Sequence, residues 1–247
     1  MTTSQIPFRR NAVQPVNCIK AGWELVKGQY WLFLGMCLLA VIIGQAVPLG
    51  ILLGPMMCGL YLAFFKRMRR EPVEFGDLFK GFDYFGPSVV ATLIHIVPIL
   101  AIMLPSIFLL YASLIISIVA QGNDPNTGAL LGSFVMFGFF MLVVILATVV
   151  ISIGFMFSYP LIVDRKMGGL DAVKLSFKAV LANFWSLLGL AMLQFLLGLA
   201  GALLCYVGLV FVFPISYASI AVAYERIFGL YDPSHASNLP PPPPSFN

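Results

Sequence analysis

In Leu60-Tyr61-Leu62-Ala63-Phe64-Phe65-Lys66-Arg67-Met68-Arg69-Arg70-Glu71, an apolar block stops and four cations follow within five positions. Cationic segments resist translocation, so such a run marks the cytoplasmic end of a membrane-crossing helix. The same reading fits the cations of the whole chain. Arg9, Arg10, Lys20 and Lys27 precede the first apolar block; Lys66, Arg67, Arg69, Arg70 and Lys80 follow the second. Arg165, Lys166, Lys174 and Lys178 follow the fourth, and Arg226 follows the sixth. Six crossings put all 14 cations on one face, and both termini with them. The outer face then carries a single charge, Asp124.

Composition agrees. The chain is 60% hydrophobic and 10% charged, with a mean hydropathy of +0.98, whereas a soluble domain is roughly a quarter charged. The formal charge of +4 is spread around helix ends, where anionic lipid headgroups are a nearer partner than nucleic acid. The rim expected to meet them comprises Lys20, Lys27, Lys66, Arg67, Arg69, Arg70, Lys80, Arg165, Lys166, Lys174, Lys178 and Arg226. The four cysteines show no disulfide or metal spacing.

The apolar blocks run from Tyr30 to Val47, Pro48 to Phe65, Pro87 to Ala120, Ala129 to Val163, Phe184 to Ala200 and Ala202 to Tyr224. About twenty residues cross a 30 Å hydrocarbon core, so the first pair is short and the middle pair long. The first pair reads as two spans or as a re-entrant hairpin; either returns the chain to the same face. The third block contains Pro98 and Pro105, which predicts a kink or an extension into the outer aqueous space.

An amphipathic leader precedes each hairpin. Val16, Ile19, Trp23, Val26 and Tyr30 oppose Asn17, Lys20, Glu24 and Lys27; Phe75, Leu78, Phe79, Phe82 and Phe85 oppose Asp77, Lys80 and Asp83; Leu170, Val173, Phe177, Val180 and Phe184 oppose Asp171, Lys174 and Lys178. Such helices lie in the headgroup plane with the aromatic face down, or are the frayed starts of the spans that follow. The first and third leaders align without a gap, Val16 to Gly44 on Leu170 to Gly198. That pairs Lys20 with Lys174, Trp31 with Trp185 and Gly35 with Gly189; further on, Pro55 pairs with Pro214 and Arg67 with Arg226. The pattern predicts an internal repeat of parallel modules, with the middle hairpin as a divergent third copy.

His95 is the one ionisable side chain well inside a span, about two turns from Pro87. An intramembrane ionisable group is a site hypothesis by default, and Gln194 is the expected hydrogen-bond partner across helices. A serine–histidine pair would have to use His95 with Ser88, Ser106 or Ser152. An ion pair between Arg67 and Glu225 is a further option. No catalytic, cofactor-binding or metal motif is present in the sequence.

The run Glu71-Pro72-Val73-Glu74-Phe75-Gly76-Asp77-Leu78-Phe79-Lys80-Gly81-Phe82, with Pro160-Leu161-Ile162-Val163-Asp164-Arg165-Lys166-Met167-Gly168 and the Ala172 to Phe177 helix, resembles a family of uncharacterised bacterial inner-membrane proteins. It looks like the membrane domain attached to some glycerophosphodiester phosphodiesterases. The resemblance covers Val13 to Gly229 and implies an inner-membrane architecture without implying phosphodiesterase activity or functional residues.

The expectation is an all-α polytopic membrane protein with six transmembrane helices in three hairpins, each led by a cytoplasmic amphipathic helix. Residues 1–12 and the Pro-rich segment 230–247 are expected to be disordered around one membrane domain, 13–229, with modules at about 13–70, 71–163 and 168–229. The expected role is a non-enzymatic membrane-organising or partner-binding subunit without a cofactor, bound to anionic lipid and to a protein partner or a second copy. The alternative is a small transporter or channel with a pathway near His95 and Gln194.

Overall fold

Pro15 sits in the first turn of a helix, where its missing N–H is not needed. It opens α1 (Pro15–Val26). One 3₁₀ turn, Lys27–Gln29, joins α1 to α2 (Tyr30–Ala46) without leaving right-handed helical backbone at either junction. α3 (Leu53–Met68) returns and ends in a left-handed cap. There Arg70 has φ 61°, its N–H bonds the Arg67 carbonyl at 3.1 Å, and the Glu71 N–H bonds the Lys66 carbonyl at 3.0 Å. A 3₁₀ helix, Phe75–Tyr84, then leads into α4 (Phe85–Gln121). α5 (Thr127–Phe155) and the short α6 (Ser158–Arg165) return, followed by α7 (Gly169–Ala182), α8 (Phe184–Leu203) and α9 (Val207–Phe228). This computed structural model describes residues 8–10, 12–46, 50–121, 127–203 and 207–230. Asp124, Cys205 and most of the two terminal segments expected to be disordered lie outside them. Of the N-terminal twelve, Phe8 packs on Phe228 and the Arg9 N–H bonds the Ile227 carbonyl at 2.8 Å.

The fold is all-α and polytopic, with five segments long and apolar enough to cross a membrane. The sixth expected span, α3, is the exception. Its 16 residues reach about 24 Å, short of a 30 Å core. Eleven of those residues are buried by protein. α4 departs in the other direction. Its 37 residues extend about 55 Å, and the helix runs on through Pro98 and Pro105. A Cβ at Gly50, in the α2–α3 turn, would meet Ile96 at 3.9 Å. About 37 Å of α4 therefore continue past that turn.

Each leader docks on the helix that closes the preceding hairpin, the first on the last. On Gly22 of α1, a Cβ would lie 2.8 Å from the Ser219 nitrogen and 3.2 Å from the Ile215 oxygen of α9. On Gly81 of the 3₁₀ helix, it would lie 2.0 Å from the Pro55 oxygen and 2.4 Å from the Gly59 nitrogen of α3. In α7 the equivalent position is Ser176. Its hydroxyl donates to the Gly154 carbonyl at 2.7 Å and accepts the Phe157 N–H at 3.2 Å, filling the break between α5 and α6. An inserted side chain is a known cause of such a break.

The second leader turns most of its expected apolar face outward, and α1 part of it. In α1 the packed stripe is Cys18, Gly22 and Val26, while Val16 and Trp23 are exposed. In the second leader Phe75, Phe79, Phe82 and Phe85 are exposed, and Leu78 and Gly81 face α3. α7 reverses this: Val173 and Val180 are buried among α4, α5 and α6. The reason is the size of the leader residue at the crossing. A glycine lets backbones touch and leaves large side chains outside, whereas α7 meets the α5–α6 break through Ser176 and touches backbone, that of α4, at its first residue, Gly169.

Candidate intramembrane groove and cation clasp

Tyr61 of α3, His95 of α4, Ser152 of α5, Tyr159 of α6, Gln194 of α8 and Tyr217 of α9 line one groove of about 490 Å³. Its mouth lies between α5 and α8, where Val149, Ser152 and Phe195 are exposed. The buried Tyr61 forms part of its back wall. The two residues singled out in the sequence thus share a cavity, but they do not bond each other. His95 stacks on Phe155, with ring centroids 4.5 Å apart, and its Nε2 lies 3.5 Å from the Ser152 hydroxyl. The Gln194 amide instead donates to Ser219 Oγ at 2.7 Å and the Ser216 carbonyl at 3.1 Å. Ser216 and Ser219 lie about half a turn and one and a half turns nearer the cation-bearing end than Pro214, and this serine pair outcompetes His95 for Gln194.

The hydrogen-bond inventory leaves acceptors and donors over. The Thr92 hydroxyl donates to the Ser88 carbonyl at 2.8 Å, so its 3.0 Å contact with Tyr159 takes the Tyr159 proton. Among the described residues, the hydroxyls of Tyr61 and Tyr217 and the Gln194 Oε1 have no hydrogen-bond partner. Polar groups of that kind need water or a ligand. The Ser152–His95 pair has the residue types of a nucleophile and its base, but that chemistry needs a shorter bond and a group that orients the imidazole. Phe155 offers a stacking face and no such hydrogen bond.

Aromatic packing fills the space between groove and cations. Tyr61 meets Phe65 at 6.4 Å, Phe65 meets Tyr224 at 5.3 Å, and Phe157 meets Tyr224 at 6.2 Å. Phe65, Phe157 and Tyr224 are fully buried. Beyond them the Tyr224 hydroxyl donates to Asp164 at 2.8 Å. Asp164 is buried and also meets Arg69 at 3.4 Å and Arg165 at 3.1 Å. Arg165 further donates to the Phe228 and Gly229 carbonyls, both at 3.0 Å, which closes the C-terminus of α9.

Several cations of the expected lipid rim therefore hold helix ends together. Lys66 and Lys80 both reach the buried Asp77 at 2.7 Å. Arg67 donates to the Leu25 carbonyl at 3.2 Å instead of pairing with Glu225. Lys27 pairs with Glu24, and Arg226 approaches the Asn17 carbonyl at 3.5 Å. Lys20, Arg70, Lys166, Lys174 and Lys178 are exposed. Asp77 and Asp164 are the residues that sequence reasoning missed. Each is an acid flanked by cations, a pattern that suits a clasp as well as a solvated surface. Comparison with known protein families, curated proteins and solved structures found no match to this chain.

Proposed function

We propose that this chain is a multi-pass inner-membrane protein, with its cation-bearing end in the cytoplasm, that organises lipid without catalysis by holding one acyl-type chain in the groove. The observation that carries this reading is a groove of about 490 Å³ that opens sideways between α5 and α8 and keeps unpartnered polar groups inside. That volume is in the range of small-molecule sites, about 300–1,000 Å³. A lipid chain bearing a hydroxyl or carbonyl suits both the apolar wall and the free Tyr61, Tyr217 and Gln194 groups. The transporter or channel alternative needs a route onward to the cytoplasm. The buried stack of Phe65, Phe157 and Tyr224 argues against one.

The same reading includes three related modules. The ungapped alignment puts Tyr30 on Phe184, and one residue before its start Pro15 stands opposite Gly169; all four are first residues of helices. It also puts Gly22 on Ser176, the two small residues that dock their leaders. The glycine contact of the middle leader, Gly81 on α3, matches that of the first, Gly22 on α9, and supports a third copy in the middle.

Ala191→Trp, which fills the groove from α8, tests the ligand. Native mass spectrometry of the full chain released from lipid nanodiscs should find one more retained lipid on the parent protein than on a folded Ala191→Trp variant. Equal retention by both would sink the proposal.

A further inference from the structure

The three leader junctions differ at their cation-bearing ends. Beside the 3₁₀ helix, Asp77 takes both Lys66 and Lys80. Beside α7, Asp164 and Arg165 close α6 onto α9. The junction of α1 with α3 and α9 stays open as a cleft of about 540 Å³. Arg67, Arg70, Arg226, Glu24 and Glu225 line it, over a floor that includes Leu25 and Val222.

The cations in this cleft are only partly used. Arg67 spends its Nε on the Leu25 carbonyl, and a Cβ on Gly28 would lie 2.8 Å from its Nη2, so glycine there clears space for the guanidinium. Arg226 makes one long contact of 3.5 Å from a group with five donors. Arg70 is exposed, has no partner among the described residues and sits at φ 61°. Glycine is the usual residue at that cap position, because a side chain is strained in the left-handed region. Arg70 brings its guanidinium to the cleft at the cost of that strain. Of the carboxylates, Glu24 is taken by Lys27, while Glu225 is exposed and has no partner among the described residues.

We infer that this cleft binds the head of a zwitterionic phospholipid, its phosphate on Arg67, Arg70 and Arg226 and its ammonium on Glu225. Guanidinium groups suit phosphate because their donors form a planar fork. A site for a purely anionic head has no use for Glu225. The cleft and the groove are separate cavities with no lining residue in common, so this inference stands whether or not the groove holds a chain.

The test uses the full chain in nanodiscs containing equal phosphoethanolamine, phosphocholine and phosphoglycerol lipids, with retained lipid counted by native mass spectrometry. The parent protein should retain a phosphoethanolamine lipid in preference to phosphoglycerol, and R70G should lose about tenfold of that retention, as expected for one charge-assisted hydrogen bond. R70G also relieves the strained cap, so its midpoint of thermal unfolding should rise by about 2–4 °C. A merely structural arginine would not give weaker lipid retention in a more stable protein. E225Q should lower the preference for phosphoethanolamine over phosphoglycerol. Equal or better retention of phosphoglycerol by the parent protein, or unchanged retention by R70G, overturns the inference. Displacement of the lipid by soluble phosphoethanolamine at matching concentration would overturn the lipid as the source of the head.

Discussion

The first hairpin and the α4–α5 hairpin are both apolar, the second more so, and meet opposite fates. In α3, Met56, Cys58, Leu60, Ala63 and Phe64 are all fully buried. In the most apolar windows of the α4 and α5 spans, only 6% of residues are buried by protein, against 44% in α9. Hydrophobicity does not by itself bring helices together here, because lipid tails satisfy an apolar side chain as well as another helix does. What separates them is small residues placed where backbones can touch. Gly54 and Gly59 of α3 each face backbone at under 3 Å from a hypothetical Cβ, whereas Gly132 and Gly138 of α5 face nothing within 4 Å.

Gly59→Ala should therefore have the largest effect of any single methyl in the chain. Its Cβ would fall 1.8 Å from the Leu78 carbonyl oxygen, so the 3₁₀ helix has to move off α3. A loss of at least about 3 kcal/mol is expected for overpacking against backbone, read as a collapse in monodisperse yield and thermal midpoint. Wild-type behaviour would mean the two elements do not touch. The matched change in the other hairpin, Gly138→Ala, should leave both readouts intact.

Asp164→Asn comes next. It keeps the shape of the group that gathers Arg69, Arg165 and Tyr224 while removing the charge that holds the arginines. A loss of about 2–3 kcal/mol is expected for a charge-assisted contact at a buried site. The thermal midpoint measures it, with the exposed Asp83→Asn as the neutral comparison.

Charge patterning alone makes the all-α, one-sided architecture legible. Parity and the grouping of Lys66, Arg69, Arg165 and Arg226 at one end need only the chain order of apolar and cationic segments. The packing of the leaders is harder to read, because helical spacing assumes 3.6 residues per turn. Asp77-Leu78-Phe79, Lys80-Gly81-Phe82 and Asp83-Tyr84-Phe85 repeat every three residues as polar, inward and outward-aromatic. That is the period of a 3₁₀ helix, in which residues three apart eclipse. The ten-residue run is long for this conformation, and the triplet is its signal. The site is half legible. His95 and Gln194 stand out by their polarity, and they do line one groove. Their separate partners, Ser152 on one side and Ser216 with Ser219 on the other, depend on helix rotation, which a uniformly apolar sequence leaves unspecified.

Phe108→Ala should give the smallest effect and the sharpest check on the exposed hairpin. Phe108 is 73% exposed on α4, in the part of the helix that continues past the α2–α3 turn. If lipid alone covers it, exchanging a phenyl ring for lipid contacts changes little, and a loss under about 0.5 kcal/mol is expected of a site with no protein neighbours. The equally apolar Phe33, fully buried and stacked on Phe64 at 5.0 Å, should lose about 3–5 kcal/mol on the same truncation. The two measured side by side in one lipid composition set the scale for covered and uncovered apolar surface in this chain. A Phe108→Ala loss approaching that of Phe33→Ala would mean that protein, not lipid, covers the hairpin. Its surface would then be an interface, and the excess length of α4 would have a binding role of its own.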